Sequence, residues 1–410
     1  MLDNFELSNK KRIFAEKIKI LMKQVVKKNR QEANKDLVEG KLNYHLVIDG
    51  NSILKSSLVC KEINSQGKEY GAILNMLRRM GELLKKKDFD YCTVMWDGFN
   101  SGILRASLYP LYKANRDKHY EDYLNESEYD RKINDYCKRV LAYHANHKQP
   151  TKKNETDDES FQRQRSIIQN ILDELFVRQF IFENVEGDDL IAYYVNKATP
   201  SDRIVIVSED RDITQLISSN VCIWIPSLHK FITDKNDVEE LGYTHENVVL
   251  KKMICGDQSD NIFGVKGLAE KGLLKLFPDL KDKKGNLDDV LKRANDILVE
   301  RKENKKKPLK SLENMINQVT DGCQGNKLFE INKKIIDLSV PLLTDEAKKS
   351  LDEEIGAPID ISERSINNVY TIVHQNCMER LYNSNTFGQI FGSFERIIKM
   401  ETSRYNNSIK

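Results

Sequence analysis

Three apolar runs in this chain stop at carboxylates: one at Asp49, one at Asp97 and one at Asp210, with Asp212 two residues further on. Each run is short and β-branched, as a buried strand would be, and each acid stands where the strand should turn out of its sheet. Glu186, Asp188 and Asp189 open a helical stretch, where the helix dipole favours negative charge. In an open parallel sheet ligands bind at the carboxyl ends of the strands, so these seven acids are expected on one edge. Asp257 and Asp260, from a later segment, are candidates to join them. A single Asp after a strand is ordinarily a turn former or a helix cap, and only the joint pattern points to chemistry. Two like charges about 4 Å apart repel by about 4 kcal/mol at a surface-like dielectric. A cluster of them therefore calls for cations. All-oxygen donors without Cys or His favour Mg²⁺ or Mn²⁺ over zinc. Two such ions about 4 Å apart can activate a water and stabilise the oxygen that leaves a phosphodiester.

Two further segments carry basic groups and glycines. Residues 102–116 follow the second acidic strand end and place Arg105, Lys113 and Arg116 beside the acids, where cations could hold a scissile phosphate. Tyr112 is expected to stack on a terminal base. The stretch from Gly256 to Gly272 joins Asp257 and Asp260 to a glycine-containing turn. There Gly264 and Gly267 would let a phosphate approach the backbone, and Lys266 and Lys271 would add a sequence-independent grip.

The elements that must position these groups alternate. Strand-like runs at 45–48, 91–96, 203–207 and 221–225 are separated by helical periodicity, with a shorter apolar strand expected near 182. This predicts an α/β fold with a mostly parallel sheet and helices on both faces. Beyond residue 243 strand signals stop and the chain reads as helices. The expected organisation is a basic helical extension over 1–43, with Phe14, Ile18, Leu21 and Val25 on one stripe, and an α/β domain over 44–243. A helical region over 244–345 and a helical tail over 346–410 follow. The net charge of +2, from 65 basic and 63 acidic residues, does not announce a nucleic-acid binder and requires acids and bases to be segregated. Seven scattered cysteines without a CxxC pair read as reduced intracellular thiols, and no apolar run is long enough to span a membrane.

With these residues in place, the chain resembles the flap endonuclease family of 5′ nucleases, most closely the stand-alone phage 5′–3′ exonucleases, some of them named RNase H. The resemblance rests on VIDGNS at 47–52, MWDG at 95–98, LYPLYKANR at 108–116, EGDDLIA at 186–192, SEDRDITQLI at 208–217 and GDQSDNIFGVKGLAEKG at 256–272. It implies a PIN-like domain with a helical arch over about 113–160 and a helix–three-turn–helix motif. It implies two Mg²⁺ ions bound or organised by the nine acids named above, and contacts from Lys113 and Arg116 to the scissile phosphate. It further implies a hairpin at 264–272 that grips duplex, with a K⁺ ion on its backbone carbonyls. The implied substrate is DNA or RNA–DNA with a 5′ end or flap, cut during primer and flap removal by an intracellular monomer working beside replication proteins such as a single-strand binding protein. Ala269 stands where the family often has glycine, and about 43 residues precede a first strand that normally lies near the N-terminus.

The acidic edge alone also fits a PIN-type ribonuclease of single-stranded RNA, a non-catalytic DNA-binding scaffold of the same fold, or a dimeric junction-resolving relative. The segment 256–272 argues against the ribonuclease, and the full set of acids argues against the scaffold.

Overall fold

The computed structural model describes residues 42–116 and 156–409. The expected extension over 1–43 and most of the expected arch over 113–160 lie outside the described residues.

Six strands form one sheet in the order β3-β2-β1-β4-β5-β6. These are β1 (Asn43–Asp49), β2 (Tyr91–Trp96), β3 (Arg178–Ile181), β4 (Asp202–Val207), β5 (Val221–Ile225) and β6 (Lys230–Ile232). The first five are parallel, and β6 pairs antiparallel with β5 at one edge. Three-residue β6 carries too little pattern to be read from sequence, and its partner register places it. Along β1 and β2 consecutive residues are buried. Val47 and Met95 join one apolar cluster, while Ile48 and Val94, pointing the other way, are equally inaccessible. Near-continuous apolar strands are what a sheet covered on both faces requires.

The chain runs outward from β1 to β2 and β3 through α1 (Gly50–Ser57), α2 (Gly71–Lys86), α3 (Ile103–Leu108) and α4 (Asp157–Glu174). It then crosses back through α5 (Gly187–Asn196) to β4 on the other side of β1. The strand order therefore reverses between β1 and β4, and the crevice at that switch point opens at their carboxyl ends. α4 begins at a capping box in which Thr156 accepts from the Glu159 amide while Glu159 accepts from the Thr156 amide.

After the sheet come α6 (Val248–Cys255), α7 (Glu270–Leu276), α8 (Leu287–Glu303), α9 (Lys310–Ile316) and α10 (Leu328–Ile336), which share a second apolar core around Leu273, Phe277 and Leu312. Residues 43–410 cluster as one compact unit. The final helices, α11 (Asp345–Glu354), α12 (Ile366–Gln375), α13 (Ser384–Phe391) and α14 (Glu395–Ser408), pack back on the α/β domain. Arg178 on β3 donates to the carbonyls of Glu354 (2.5 Å) and Ala357. From α14, Arg404 donates to the Asp90 carbonyl at 2.8 Å and Arg396 to its carboxylate at 3.0 Å. Among the described residues no helix is long and apolar enough to cross a membrane.

Candidate active site

At the carboxyl end of β1, Asp49 caps α1. Its Oδ1 accepts from the Ser52 amide at 3.0 Å and its Oδ2 from the Ser208 hydroxyl at 2.7 Å. Ser208 ends β4 and also accepts from the Asp210 amide at 2.9 Å, so one hydroxyl couples the two strands at the switch point. Asp97, just past β2, is fixed by Asn51 Nδ2 at 2.6 Å and by the Gly187 amide at 2.7 Å. That second bond ties the start of α5 to β2 and carries Asp188 inward.

The result is a cleft of 980 Å³ lined by Asp49, Asp97, Glu186, Asp188, Asp210, Asp260 and Lys113. Four separate stretches deliver the first five acids, as the strand-end pattern requires, and Asp260 comes from the later glycine segment. Burial, then the neighbouring Asp97 and Asp210, push Asp49 up to about 7 against the opposing hydrogen bonds of Ser52 and Ser208. Asp188 is raised further by burial and by Asp210, Asp49, Asp97 and Glu186. The helix dipole expected to stabilise charge at the start of α5 is outweighed there by burial and like charge.

Asp212 and Asp257 sit to one side. One carboxylate oxygen from each of them and one from Asp260 all lie within 4.8 Å of one another. Lys252, on the last turn of α6, reaches both Asp212 and, at 2.5 Å, Asp257. Against the cost of burial, Lys252 and Ser259 hold Asp257 down to about 2. Burial prevails at Asp212, which rises to about 7 despite the same lysine. The sequence reading did not single out Lys252. A lysine five residues before an acid does not share a straight helix face with it. The juxtaposition depends on Gly256, whose φ of +73° turns the chain after α6.

Several expected roles are corrected by burial. Arg105 is 6% exposed and does not face the cleft as a free phosphate-holding cation. It forms buried ion pairs with Glu186 and Asp189 and donates through Nε to the Ile335 carbonyl at 2.9 Å. Asp189, 1% exposed, is spent on Arg105 and on the Leu342 amide at 2.9 Å, so it braces the site from behind. Tyr112 is 3% exposed, and its hydroxyl donates to Glu186 at 2.9 Å and meets Asp260 at 3.3 Å, so its ring has no open face for a terminal base. Lys113 stays in the cleft. It pairs with Glu186, and its amide donates to the Asp260 carbonyl at 2.8 Å. Despite burial, Lys113 and Arg105 hold Glu186 down to about 2. Arg116 closes the 3-10 turn Ala114–Arg116 at the limit of the described residues.

In the glycine turn, Lys266, Gly267 and Lys271 are exposed and lie outside the acidic cleft. Lys266 pairs with Asp321 at 2.6 Å across an exposed contact. A Cβ at Gly264 would fall 2.1 Å from the Cys255 carbonyl carbon, so that glycine is required by the chain's own packing. Gly267 is different. Its φ is +78° and nothing lies within 4 Å of a Cβ built there, so the approach expected of the turn is open at this position.

The donor set fits hard divalent cations. Among the described residues, one oxygen each from Asp212, Asp257 and Asp260 lies close enough to share an ion, and burial, then neighbouring like charge, pushes Asp49, Asp188 and Asp212 up, a charge excess that a cation would relieve.

Comparison with known proteins agrees with this geometry. The 5′-3′ exonuclease, N-terminal resolvase-like domain matches residues 44–251. The chain is 32% identical over 263 residues to DNA polymerase I of Caldicellulosiruptor bescii, covering 60% of this chain and 26% of the polymerase. It is 26% identical over 236 residues to a 5′-3′ exonuclease of Mycoplasma pneumoniae, covering 55% of this chain and 68% of that protein. The chain thus spans about a quarter of the length of such polymerase relatives. A solved complex of the bacteriophage T5 flap endonuclease with DNA and metal ions shares the fold at a TM-score of 0.50 and 18% identity, over 82% of this chain and 100% of that one.

Proposed function

The chain belongs to the family of the 5′-3′ exonuclease N-terminal resolvase-like domain, and from that premise we propose that it is a structure-specific 5′ nuclease. It would hydrolyse phosphodiester bonds near 5′ ends and flap junctions of DNA or RNA–DNA, with two Mg²⁺ or Mn²⁺ ions, in primer and flap removal. The observation that carries this reading is the single cleft in which Asp49, Asp97, Asp188 and Asp210 meet Lys113.

Asp49, Asp188, Asp210 and Asp97 would hold one ion, and Asp212, Asp257 and Asp260 a second. When bound, such ions lower the pKa of water and neutralise charge developing on the leaving oxygen. The protein's own groups do the rest. Ser208 and Ser52 fix the orientation of Asp49, and Asn51 with the Gly187 amide fixes Asp97, so the carboxylates are aligned before substrate arrives. Lys113 holds a non-bridging phosphate oxygen and offsets charge on the pentavalent phosphorus. Glu186 pairs with Lys113 and aims it, and against burial Lys113, Arg105 and Tyr112 keep Glu186 ionised. Lys252 offsets the negative charge crowded on Asp212 and Asp257, two of the residues that would hold the second ion. Exposed Gly267, Lys266 and Lys271 offer a sequence-independent contact to the duplex backbone.

The test is cleavage of 5′-labelled flap, blunt duplex, RNA–DNA hybrid and single-stranded RNA, with Mg²⁺ and with chelator. Short 5′ products from the flap or hybrid in Mg²⁺ alone support the reading. Cutting confined to single-stranded RNA, or unaffected by chelator, overturns it.

A further inference from the structure

A second compartment of 700 Å³ adjoins the acidic cleft and shares Asn51, Asp97, Lys113 and Glu186 with it. Its volume lies in the range of small-ligand sites, about 300–1,000 Å³. Unlike the acidic cleft, it is not lined by Asp260, the residue that leads into the glycine turn.

One wall is a face of α4, where Phe161, Arg165 and Gln169 recur every fourth residue. The lining also includes the apolar Ile103 and Ile181, the latter 48% exposed at the end of β3. Arg165 is the distinctive group. Its guanidinium lies 5.4 Å from the Trp96 ring centroid and donates to the Asp97 carbonyl at 2.5 Å. Its Nε is buried without a partner, and among the described residues it forms no ion pair. Nearby, Asn51 Oδ1 is likewise buried and unpartnered. A guanidinium with one donor still unmet beside an acidic cleft keeps the capacity to take an anion as a further partner.

We infer that this compartment receives the nucleotide on the 5′ side of the cut bond, with Arg165 donating to a phosphodiester one or two positions 5′ of the scissile phosphate and the base against Ile103 and Ile181. The inference rests on the nuclease reading and adds a substrate subsite to it. A planar fork suits a phosphate as a bidentate partner. Because Lys113 lines both spaces, one strand can run past it with its duplex side in the acidic cleft toward Asp260 and its 5′ side in the compartment. Arg165 is a substrate-positioning residue and takes no part in bond making.

The experiment is a double-mutant cycle between protein and substrate, read as single-turnover kcat/KM in Mg²⁺ on the full chain. The protein arms are wild type, Arg165→Gln and Arg165→Lys. The substrate arms are a native flap, flaps with a neutral methylphosphonate at the first or second phosphodiester 5′ of the cut, and one with it on the duplex side. Arg165→Gln should lower the native rate by about 10- to 100-fold, the worth of a charge-assisted hydrogen bond. On one of the 5′-side methylphosphonates it should cost less than about threefold, because the contact is already gone. On the duplex-side methylphosphonate the two penalties should multiply. Arg165→Lys, which keeps the charge, should lie between and carries the same comparison if Arg165→Gln does not fold. Penalties that multiply at both 5′ positions, or a native rate unchanged by Arg165→Gln, overturn the inference and leave the nuclease reading intact. A wild-type chain that cuts none of the substrates removes both.

Discussion

Replacing Arg105 with alanine separates two accounts of the same residue. As a phosphate-holding cation on the surface, Arg105 would cost little stability when lost, within about 0.5 kcal/mol. In the structure it is buried against Glu186 and Asp189 and donates to the Ile335 carbonyl. Glu186 keeps Lys113 when the guanidinium goes, but Asp189 loses its only cation among the described residues and keeps just the Leu342 amide. Removing one partner of a buried ion pair costs about 3–5 kcal/mol. With a urea slope of about 3 kcal/mol per M, the unfolding midpoint should fall by about 1–2 M. Urea unfolding followed by the fluorescence of buried Trp96 and Trp224 measures it. Adding Asp189→Asn to Arg105→Ala should recover part of the loss, because the stranded charge is then gone. A midpoint unchanged by Arg105→Ala would refute the keystone assignment and restore the phosphate-contact reading.

Lys113→Ala should slow single-turnover cleavage by about 10²–10³-fold with little change in duplex affinity, and an unchanged rate would remove its assigned role. Asp188→Asn or Asp210→Ala should reduce cleavage by at least about 10²–10³-fold while binding of uncut duplex in Ca²⁺ stays measurable by anisotropy. His45, on β1, is held below its ordinary pKa of 6.5 by burial against the pull of Asp202, with Tyr91 stacked on it and Tyr194 Oη at 2.7 Å. The unfolded chain therefore binds this proton more readily than the folded one, so the His45 contribution to stability falls as pH drops below about 6.5, against the opposite contribution of the raised Asp49, Asp188 and Asp212. Urea midpoints between pH 7.5 and 5.5 should therefore fall less, or rise more, on acidification in His45→Gln than in the wild type, and identical pH profiles would remove the His45 contribution.

The strand ends were legible because apolar runs that stop at Asp49, Asp97 and Ser208 are both a structural boundary and a chemical signal. Residue type alone could not separate Lys113 from Arg105. They lie eight residues apart in one basic segment, yet one faces the cleft and the other is buried by contacts 81, 84 and 230 positions away. Tyr112 was misread for the same reason, since its partner Glu186 lies 74 residues off. Gly264 and Gly267 look alike in sequence but serve different needs, one for packing against Cys255 and the other for an open left-handed turn. Residues 346–410 carried no motif because their attachments pair single residues with partners far off in the chain, as Arg178 with the Glu354 and Ala357 carbonyls and Arg396 with Asp90, 306 positions away.

The central claim is that carboxylates from far-apart segments form one site for a pair of divalent ions. Calorimetric titration of the full chain with Mn²⁺, without nucleic acid, tests it without reliance on turnover. Two saturable equivalents in the wild type, one or both lost in Asp188→Asn and the second weakened in Asp257→Asn, is the predicted result. No saturable binding, or a stoichiometry and affinity that neither substitution changes, would contradict it.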